Sequence, residues 1–357
     1  MSYRLLVLCN NYARSYDGIG AYAKVMTDNF SEKLEPIVFT ADCDSNAGSL
    51  RRVTTLGMTR QAILAGRYIK ANPVDCVDIE YPFVEWNPLV VFGFLRLFSA
   101  ARRAKVRLLL SLHEYERTNR LRKLVIHFLA SHCDYIGVSN DTLKRAMEPY
   151  CDTVFLRRIP SNMDAAPATD TWREKSHFVY FGLIGRAKAF TEMLEGWDAF
   201  AARNEGTLHI ISSTKIAGLE NRKGVKYHYD LAAEDVMKLM ERCSFAVLPV
   251  RPCVDEKNAT FKTACIAGCI PIGVFSETLV GTEAFRLDMK DYSSAAFTDA
   301  FSRALGCEST EILEKSRLAA LYGEAYKPHC AIAQLEKTLL EIGEKEKKPW
   351  RKTCRPR

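Results

Sequence analysis

The sequence has no long hydrophobic run: nowhere do about 18 uncharged apolar residues stand together, the length that a membrane-spanning helix requires. A secretion signal is also missing, because the apolar run after Arg4 extends only from Leu5 to Cys9 and is typical of a strand. No internal repeat is present, and the only biased segment is a basic tail. These absences argue against integral membrane, exported and repetitive proteins, so we expect a cytoplasmic location.

The net charge of the chain is also small. The 50 Lys and Arg residues and 43 Asp and Glu residues leave +7 over 357 residues, which is little for a dedicated nucleic-acid-binding protein. The 12 cysteines include no CxxC pair and no zinc-like spacing with histidine, so we interpret them as reduced, mostly buried thiols. We therefore expect neither a metal site nor a nucleic-acid partner.

Short apolar runs alternate with amphipathic segments, and this alternation occurs twice along the chain. It predicts parallel sheets covered by helices on both faces. The fold class is therefore α/β, with two doubly wound Rossmann-like domains facing a cleft. The predicted strands are Leu5–Asn10, Ile37–Asp42, Cys76–Tyr81, Arg107–His113 and Tyr135–Ser139 in the first half, and Phe178–Leu183, Thr207–Ser212, Val225–Tyr229, Phe245–Val250 and Ile270–Phe275 in the second.

The junction between the two halves is predicted from Pro160, Pro167 and the polar, aperiodic stretch around them. We assign 1–160 to the N-terminal domain, 161–176 to a linker, 177–342 to a C-terminal domain with its closing helices, and 343–357 to the basic tail. In doubly wound folds, ligands bind at the carboxyl ends of the strands, so polar residues in those places are the candidates for function.

In the first half, Gly18 and Gly20 directly precede a predicted helix, where glycine lets the backbone approach a ligand and free amides suit phosphate. Gly18, Gly20 and Ala23 also fit the loose GxGxxA dinucleotide pattern, with Asp42 as the ribose-binding acid. The alternative is a turn without a ligand. His113 ends a very apolar strand and is a candidate for sugar-hydroxyl binding or proton transfer, or else a structural histidine.

In the second half, glycines and two cations follow the first predicted strand. Arg186 and Lys188 stand just before a helix, a pattern that favours a pyrophosphate site over a solvated basic loop. Further on, Asp255 and Glu256 are candidates for holding sugar hydroxyls, and Lys262 for holding phosphate. A solvated loop with ordinary capping residues is the alternative for these three.

The order of these features resembles that of the GT-B glycosyltransferases, in particular glycosyltransferase family four (glycosyl transferases group 1). The resemblance covers nearly the whole chain. It rests on segments that are similar to family patterns: Asp17–Tyr22 (G-G-I-G-x-Y), Leu112–Glu114 (the strand-end histidine), Asp134–Ser139 (D-x-I-x-x-V-S), Ile159–Asp164 (I-P-N-G-V-D), Phe181–Lys188 (G-R-x-x-x-x-K-G) and Ala267–Pro271 (A-x-G-x-P-V).

The resemblance implies a transferase that moves a sugar from a nucleoside-diphosphate donor to a glycan or lipid-linked acceptor, with retention at the anomeric carbon and without metal or other cofactor. It implies a role in surface polysaccharide synthesis, of O-antigen, capsule or exopolysaccharide. The implied roles are diphosphate binding by Gly18, Gly20, Arg186, Lys188 and Lys262, catalysis by His113, Asp255 and Glu256, and nucleotide or ribose binding by Tyr229 and Thr263. The family's second acid is replaced here, by Thr263 or Ala264 depending on the alignment.

Three alternatives stay open at this point. A non-catalytic protein of the same fold would bind a glycan or a partner enzyme, an oxidoreductase would bind NAD at the Gly18 loop, and a nucleotide-sugar epimerase would share the fold. The stretch from Arg96 to Lys123 holds nine basic residues and two acids, next to an apolar helix flank. It suggests peripheral binding to the anionic inner face of the cytoplasmic membrane through 88–123 and the tail 343–357. The alternative is an ordinary buried helix at Leu89–Leu97 with the charges on a solvated face.

Overall fold

The computed structural model describes residues 2–12, 18–43, 57–83, 90–116, 118–161, 163, 173–185 and 188–344. They belong to two compact units, Met1–Ile159 with Ala331–Arg357, and Pro160–Cys330. No helix among these residues is long and apolar enough to cross a membrane.

The first unit contains a six-stranded parallel sheet with the strand order β2-β1-β3-β4-β5-β6. Its strands are β1 (Tyr3–Tyr12), β2 (Leu34–Cys43), β3 (Cys76–Tyr81), β4 (Arg107–Leu112), β5 (Tyr135–Val138) and β6 (Val154–Leu156). Its helices are α1 (Gly18–Asp28), α2 (Met58–Ala71), α3 (Val90–Ala104), α4 (Arg120–Ala130) and α5 (Asp141–Met147), and most of α11 (Pro328–Glu344) also belongs to it.

The second unit repeats this architecture with the order β12-β11-β10-β7-β8-β9. Its strands are β7 (Glu174–Phe181), β8 (Thr207–Ser212), β9 (Val225–Tyr229), β10 (Cys243–Leu248), β11 (Ile270–Gly273) and β12 (Leu287–Asp288). Its helices are α6 (Phe190–Ala201), α7 (Ala233–Arg242), α8 (Ala259–Ile266), α9 (Ser294–Gly306) and α10 (Ser309–Glu324), with a short 3-10 helix at Leu219–Asn221. The predicted class, α/β with two doubly wound Rossmann-like domains, is confirmed.

Both faces of each sheet are buried, as the alternation of strand and helix predicts. Along β1, Leu6 and Leu8 pack into one hydrophobic cluster and Leu5, Val7 and Cys9 into another on the opposite face. Successive strand residues point to opposite faces, so an unbroken apolar run is what a strand covered on both sides needs.

The last helix departs from the predicted domain boundaries. Ile332, Leu335 and Leu339 of α11 pack in the cluster that contains Leu5 and Val7 of the first unit. The prediction of 177–342 as one domain is therefore corrected, because residues from Ala331 onward belong to the first unit. The amphipathic pattern of α11 identifies a buried face but not the sheet that it covers.

The linker prediction also needs a correction, since β7 begins at Glu174, inside the predicted linker 161–176. Polar residues at the start of β7 hide this strand from a search for apolar runs. The tail from 345 on lies outside the described residues.

Candidate active site

Each sheet has a switch point between two adjacent central strands. From one of these strands the chain proceeds to one edge of the sheet, and from the other it proceeds to the opposite edge. Ligands of doubly wound folds bind at this point. In the first unit the switch point lies between β1 and β3, and in the second between β7 and β10. The loops that follow these four strands contain or adjoin most of the candidate residues.

The carboxyl edge of the first sheet contains a buried ionic cluster that sequence analysis did not anticipate. Asp78 and Glu80 are two positions apart on β3 and therefore point to the same face of the sheet. Arg157, just after β6, binds both: Nη1 lies 3.0 Å from Asp78 Oδ2 and Nη2 lies 2.9 Å from Glu80 Oε1. The Arg157 Nε donates to the Tyr22 hydroxyl at 2.5 Å. Ser111 Oγ donates to Asp78 Oδ1 at 2.5 Å and also contacts Arg157.

The two carboxyl groups titrate differently because only one guanidinium serves both. Burial raises the pKa of Asp78 to about 7, although Arg157 opposes this shift. Burial also acts on Glu80, but there Arg157 and His113 outweigh it and hold the pKa below its usual value. Near neutral pH the cluster thus pairs one ionised carboxylate, Glu80, with Arg157, while the Asp78 carboxyl group is about half protonated.

His113 is the candidate catalytic residue that this cluster holds in place. Its Nε2 lies 2.6 Å from Glu80 Oε2, and its ring stands edge-on to Tyr22 at 5.0 Å between centroids. Its side chain is 13% exposed, whereas that of Glu80 is fully buried. When Nε2–H donates to Glu80, the lone pair of Nδ1 is the acceptor that the imidazole can offer to a substrate hydroxyl.

The two glycines of the first loop differ in their surroundings. Gly18 is the exposed first residue of α1, and a Cβ added there would meet nothing within 4 Å. Gly20 is buried, and a Cβ there would lie 1.6 Å from the Asn11 carbonyl oxygen. Gly20 is thus explained by close packing of α1 on β1, and Gly18 is the glycine with an open approach. The Asp42 side chain lies outside the described part of the chain.

At the switch point of the second unit, the residues after β7 and β10 contact each other. Lys188 forms a bridge with Val250, and the Ala189 amide donates to the Pro249 carbonyl at 2.8 Å. Lys188 itself is half-buried, which lowers its pKa. Helix α6 follows at once, and within the described residues no side chain caps its N-terminus. Arg186 lies outside the described residues.

Lys262 occupies an unexpected position for a phosphate-binding residue. Its side chain is fully buried, and Nζ lies over the Tyr326 ring, 5.1 Å from the centroid. Burial lowers its pKa to about 7, while Asp255 and Glu256 act in the opposite direction. The ammonium of Lys262 is therefore placed near the two predicted acids but is not presented to solvent.

Asp255 and Glu256 lie half-buried in the loop after β10. Asp255 Oδ1 accepts a hydrogen bond from the Lys257 amide at 3.0 Å, and Glu256 Oε2 accepts one from the Thr278 hydroxyl at 2.8 Å. A carboxylate offers about four acceptor positions on its two oxygens, so it can accept several hydrogen bonds at once.

The two predicted nucleotide-binding residues differ in accessibility. Thr263 is 1% exposed; its hydroxyl donates to the Ala259 carbonyl at 3.0 Å and contacts Ser161 Oγ at 2.8 Å. It is thus engaged within the unit rather than offered to a ribose. Tyr229, at the carboxyl end of β9, is 45% exposed, with Lys215 Nζ 4.9 Å from its ring centroid.

Exposed apolar side chains lie within and next to the basic stretch of the first unit in the sequence. Phe92 and Leu95 of α3 are 64% and 42% exposed, and Leu121 and Leu124 of α4 are 50% and 64% exposed. The exposed cations nearby in sequence are Arg96, Arg102, Arg103, Lys105 and Arg120. Arg107 is buried at the start of β4, and Arg117, residues 84–89 and the tail from 345 lie outside the described residues.

A row of histidines crosses the second sheet. The Nδ1 of His209 on β8 lies 3.0 Å from Nε2 of His228 on β9, and its Nε2 lies 3.2 Å from Nδ1 of His177 on β7. The Nε2 of His177 lies 2.8 Å from Glu174 Oε2. Burial lowers the pKa of His209 to about 3. The row was not predicted from the sequence because its members are 19 or more residues apart. The available signal was a histidine inside an apolar strand run, as in Thr207–Ser212.

The fold is similar to that of several solved structures. A glycosyltransferase from Rickettsia africae ESF-5 superimposes with a TM-score of 0.69 at 11% identity, over 97% of this chain and 100% of the other. An alpha-glucosyltransferase in complex with UDP and a 13-mer DNA gives 0.63 at 12% identity, over 97% and 100%. A putative UDP-N-acetylglucosamine 2-epimerase from Listeria monocytogenes gives 0.54 at 9% identity, over 98% of each chain.

These likenesses concern the fold, because the identities are far too low to carry an activity from one chain to another. No protein-family model matches the sequence, and no curated protein matches it. The described structure agrees with the two-domain, Rossmann-like architecture of glycosyltransferases and of enzymes that act on UDP-sugars.

Proposed function

We propose that this chain is a glycosyltransferase that moves a sugar from a nucleoside-diphosphate donor to a glycan or lipid-linked acceptor. The observation that carries the proposal is the junction of the two loops at the β7/β10 switch point. There Lys188 and the N-terminus of α6 adjoin the loop that holds Asp255 and Glu256. A cation and free helix amides suit a diphosphate, and carboxylates suit sugar hydroxyls.

In this proposal the second unit binds the donor. Lys188 and the α6 amides stabilise the negative charge that grows on the departing diphosphate, which is the main electrostatic demand of the reaction. Asp255 and Glu256 bind hydroxyls of the donor sugar as hydrogen-bond acceptors. Tyr229 offers a half-exposed ring on which a nucleotide base can stack.

His113 serves the acceptor side. The Glu80 carboxylate fixes its ring, so its free acceptor nitrogen can orient a sugar hydroxyl for attack on the anomeric carbon. In keeping with the family resemblance, we propose that the product retains the donor's anomeric configuration, that no metal takes part, and that the acceptor belongs to a surface polysaccharide.

Ligand-induced thermal stabilisation tests the donor. The purified protein is heated with UDP, GDP, ADP, dTDP, CMP or NAD, with and without magnesium. A higher melting temperature with one nucleoside diphosphate, independent of magnesium, supports the proposal and identifies the nucleotide. A response to NAD alone favours an oxidoreductase, and no response to any nucleotide favours a non-catalytic protein.

A matched pair of variants tests the phosphate site. Lys188→Ala removes the half-buried ammonium at the switch point, and we expect the affinity for the nucleoside diphosphate to fall roughly 10- to 100-fold, the value of one charge-assisted contact. Lys238→Ala, which removes an exposed lysine of α7 in the same unit, should leave that affinity unchanged. Equal effects of the two variants, or none, would contradict the assignment.

Product analysis separates sugar transfer from epimerisation of the sugar nucleotide. Incubation of the protein with a sugar derivative of the nucleotide that stabilises it and a glycan or lipid-linked acceptor should release nucleoside diphosphate as the sugar is joined to an acceptor hydroxyl. Proton NMR of the product should show the donor's anomeric configuration at the new bond. A sugar that is epimerised while it stays attached to its nucleotide would instead identify an epimerase, the class to which the Listeria neighbour is assigned.

We further propose that the exposed faces of α3 and α4 contact an anionic membrane. Apolar side chains that dip into the headgroup region and cations beside them are the two components of peripheral binding. Vesicles of phosphatidylcholine with phosphatidylglycerol should sediment the protein, and neutral vesicles should not. Phe92→Asp with Leu124→Asp should abolish sedimentation, while Leu313→Asp with Leu321→Asp, at equally exposed sites of α10, should preserve it. Equal binding by both double variants would contradict the proposal.

A further inference from the structure

We propose that His177, His209 and Cys243 form a binding site for a thiophilic divalent ion, with Zn²⁺ as its natural occupant. One ring nitrogen of each histidine and Sγ of Cys243 all lie within 4.8 Å of one another. Imidazole nitrogen and thiolate sulfur are the ligands that zinc prefers in proteins. This site is independent of the proposed sugar transfer and of the residues assigned to it.

The sheet brings the three ligands together from distant parts of the sequence. Cys243 begins β10, His177 lies on β7 and His209 on β8, and these strands are neighbours in the order β10-β7-β8. Strand alternation puts His177 and His209 on the face that also bears Val179 and Ile211, which pack with Cys243 in one cluster. The absence of a CxxC or His-x-His spacing in the sequence therefore does not argue against a metal site whose ligands come from different strands.

The distance between the two imidazoles fits a metal. Nε2 of His209 and Nδ1 of His177 face each other at 3.2 Å. Two nitrogens that each lie about 2.1 Å from zinc in tetrahedral geometry are separated by about 3.4 Å. An ion can thus replace the hydrogen between the two rings with small movements, and Cys243 can supply the third ligand from the neighbouring strand.

Each histidine already has a partner for its other nitrogen. Nε2 of His177 is held by the Glu174 carboxylate at 2.8 Å, and Nδ1 of His209 by Nε2 of His228 at 3.0 Å. Histidines that ligate metals almost always donate their second N–H to a carboxylate, carbonyl or similar acceptor, which fixes the ring and its tautomer. On binding, His209 takes the tautomer with its proton on Nδ1 instead of Nε2, and His228 takes the tautomer with its proton on Nδ1. In the metal-bound form, Nδ1–H of His209 therefore donates to Nε2 of His228, and the rings stay neutral.

Burial and charge also suit the ion. Cys243 is fully buried and His209 is 5% exposed, while the Glu174 side chain is 34% exposed and offers a route from solvent. On binding, the Cys243 thiol, which now contacts the Leu239 carbonyl at 3.3 Å, gives its proton to solvent and becomes the thiolate ligand. Water completes the fourth position. The ion would tie β10, β7 and β8 together and stabilise the folded second unit.

Metal analysis of the full-length protein tests the proposal. We expect one Zn²⁺ per chain after dialysis, and with Co²⁺ in its place a thiolate-to-cobalt charge-transfer absorption. Cys243→Ser should abolish that absorption and His209→Asn should remove the bound metal. Cys307→Ser, which removes another buried thiol of the same unit, should change neither. Chelation of the wild-type protein should lower its melting temperature, a readout that needs no variant.

A second pair of variants tests the outer hydrogen bond. Glu174→Gln weakens the hold on His177 and should lower zinc affinity roughly 10- to 100-fold while the stoichiometry stays at one. Arg242→Ala breaks the ion pair of the same carboxylate, 2.8 Å away, but leaves the bond to His177, so it should have little effect. The proposal is overturned if the wild-type chain binds no zinc, or if bound cobalt gives no thiolate band and is unaffected by Cys243→Ser.

Discussion

Glu80 and His113 meet at 2.6 Å (Oε2 to Nε2) at the carboxyl edge of the first sheet, and the other oxygen of the same carboxylate binds Arg157 at 2.9 Å. One buried carboxylate therefore serves two purposes, since it neutralises a buried guanidinium and orients the histidine. An ion pair buried in this way contributes little net stability by itself, but removal of one partner leaves the other without compensation.

The unequal titration of the two acids predicts unequal effects of their amide variants. At pH 6, Glu80→Gln removes the ionised partner of Arg157 and should lower the free energy of unfolding by about 3 kcal/mol. Asp78→Asn resembles the protonated form that burial favours, so its cost should be only about 1 kcal/mol. Urea unfolding of both variants measures the difference. A larger loss in Asp78→Asn would reverse the assignment of charge in the cluster.

Asp78 also predicts a pH dependence of stability. Its pKa rises from 3.8 in the unfolded chain to about 7 in the fold, so between these values the folded state binds more protons than the unfolded state. Its contribution to stability is complete below about pH 4 and declines as the pH rises to about 7. We expect wild type to lose stability relative to Asp78→Asn over this range. A constant difference between the two proteins would be inconsistent with a buried, titrating Asp78.

Lys262 predicts that stability rises with pH above neutrality, the opposite of the effect of Asp78. Burial lowers its pKa from 10.5 to about 7, so between these values the unfolded chain binds the extra proton. Wild type should therefore gain stability relative to Lys262→Met as the pH rises from 7 towards 10.5. Denaturant unfolding at pH 7, 8 and 9 measures this gain. Lys238→Met, at an exposed lysine, is the control; the same slope there would show that burial is not the cause.

The two glycines of the first loop predict contrasting responses to alanine. At Gly20 the new methyl group would meet the Asn11 carbonyl oxygen at 1.6 Å, a clash with backbone that requires α1 to move. Gly20→Ala should cost about 3 kcal/mol or more of unfolding free energy. Gly18→Ala meets nothing within 4 Å and should change stability by less than about 0.5 kcal/mol. Thermal unfolding compares the pair, and equal melting temperatures would contradict the packing described for α1.

Prediction from the sequence worked best for features that depend on a single strand or a single loop. The run Cys76–Tyr81 predicted β3 with its exact bounds, because a strand buried on both faces needs unbroken apolar character that Asp78 and Glu80 interrupt only on one side. His113 was chosen as a candidate from its place after an apolar strand, and its catalytic role stays a prediction. The short β6 was not predicted, since three residues give too little pattern.

The relationships that sequence analysis missed are those between distant residues. Arg157 lies 77 positions from Glu80 and 79 from Asp78, and no local pattern links a cation after β6 to acids on β3. Cys243 and His209 likewise become neighbours only through the strand order. Such groups can be matched once the register of each sheet is known, because charge balance then requires buried acids to have a partner.

The return of α11 to the first unit has a consequence for biosynthesis. As the ribosome elongates the chain, residues 160–330 emerge complete and can fold while the first unit still exposes the face of β1 that Ile332, Leu335 and Leu339 will cover. The unit that emerges first is thus finished last. A nascent chain that stops before 331 would expose the apolar face of β1 to solvent, and exposed apolar surface of this kind promotes aggregation and binding by chaperones.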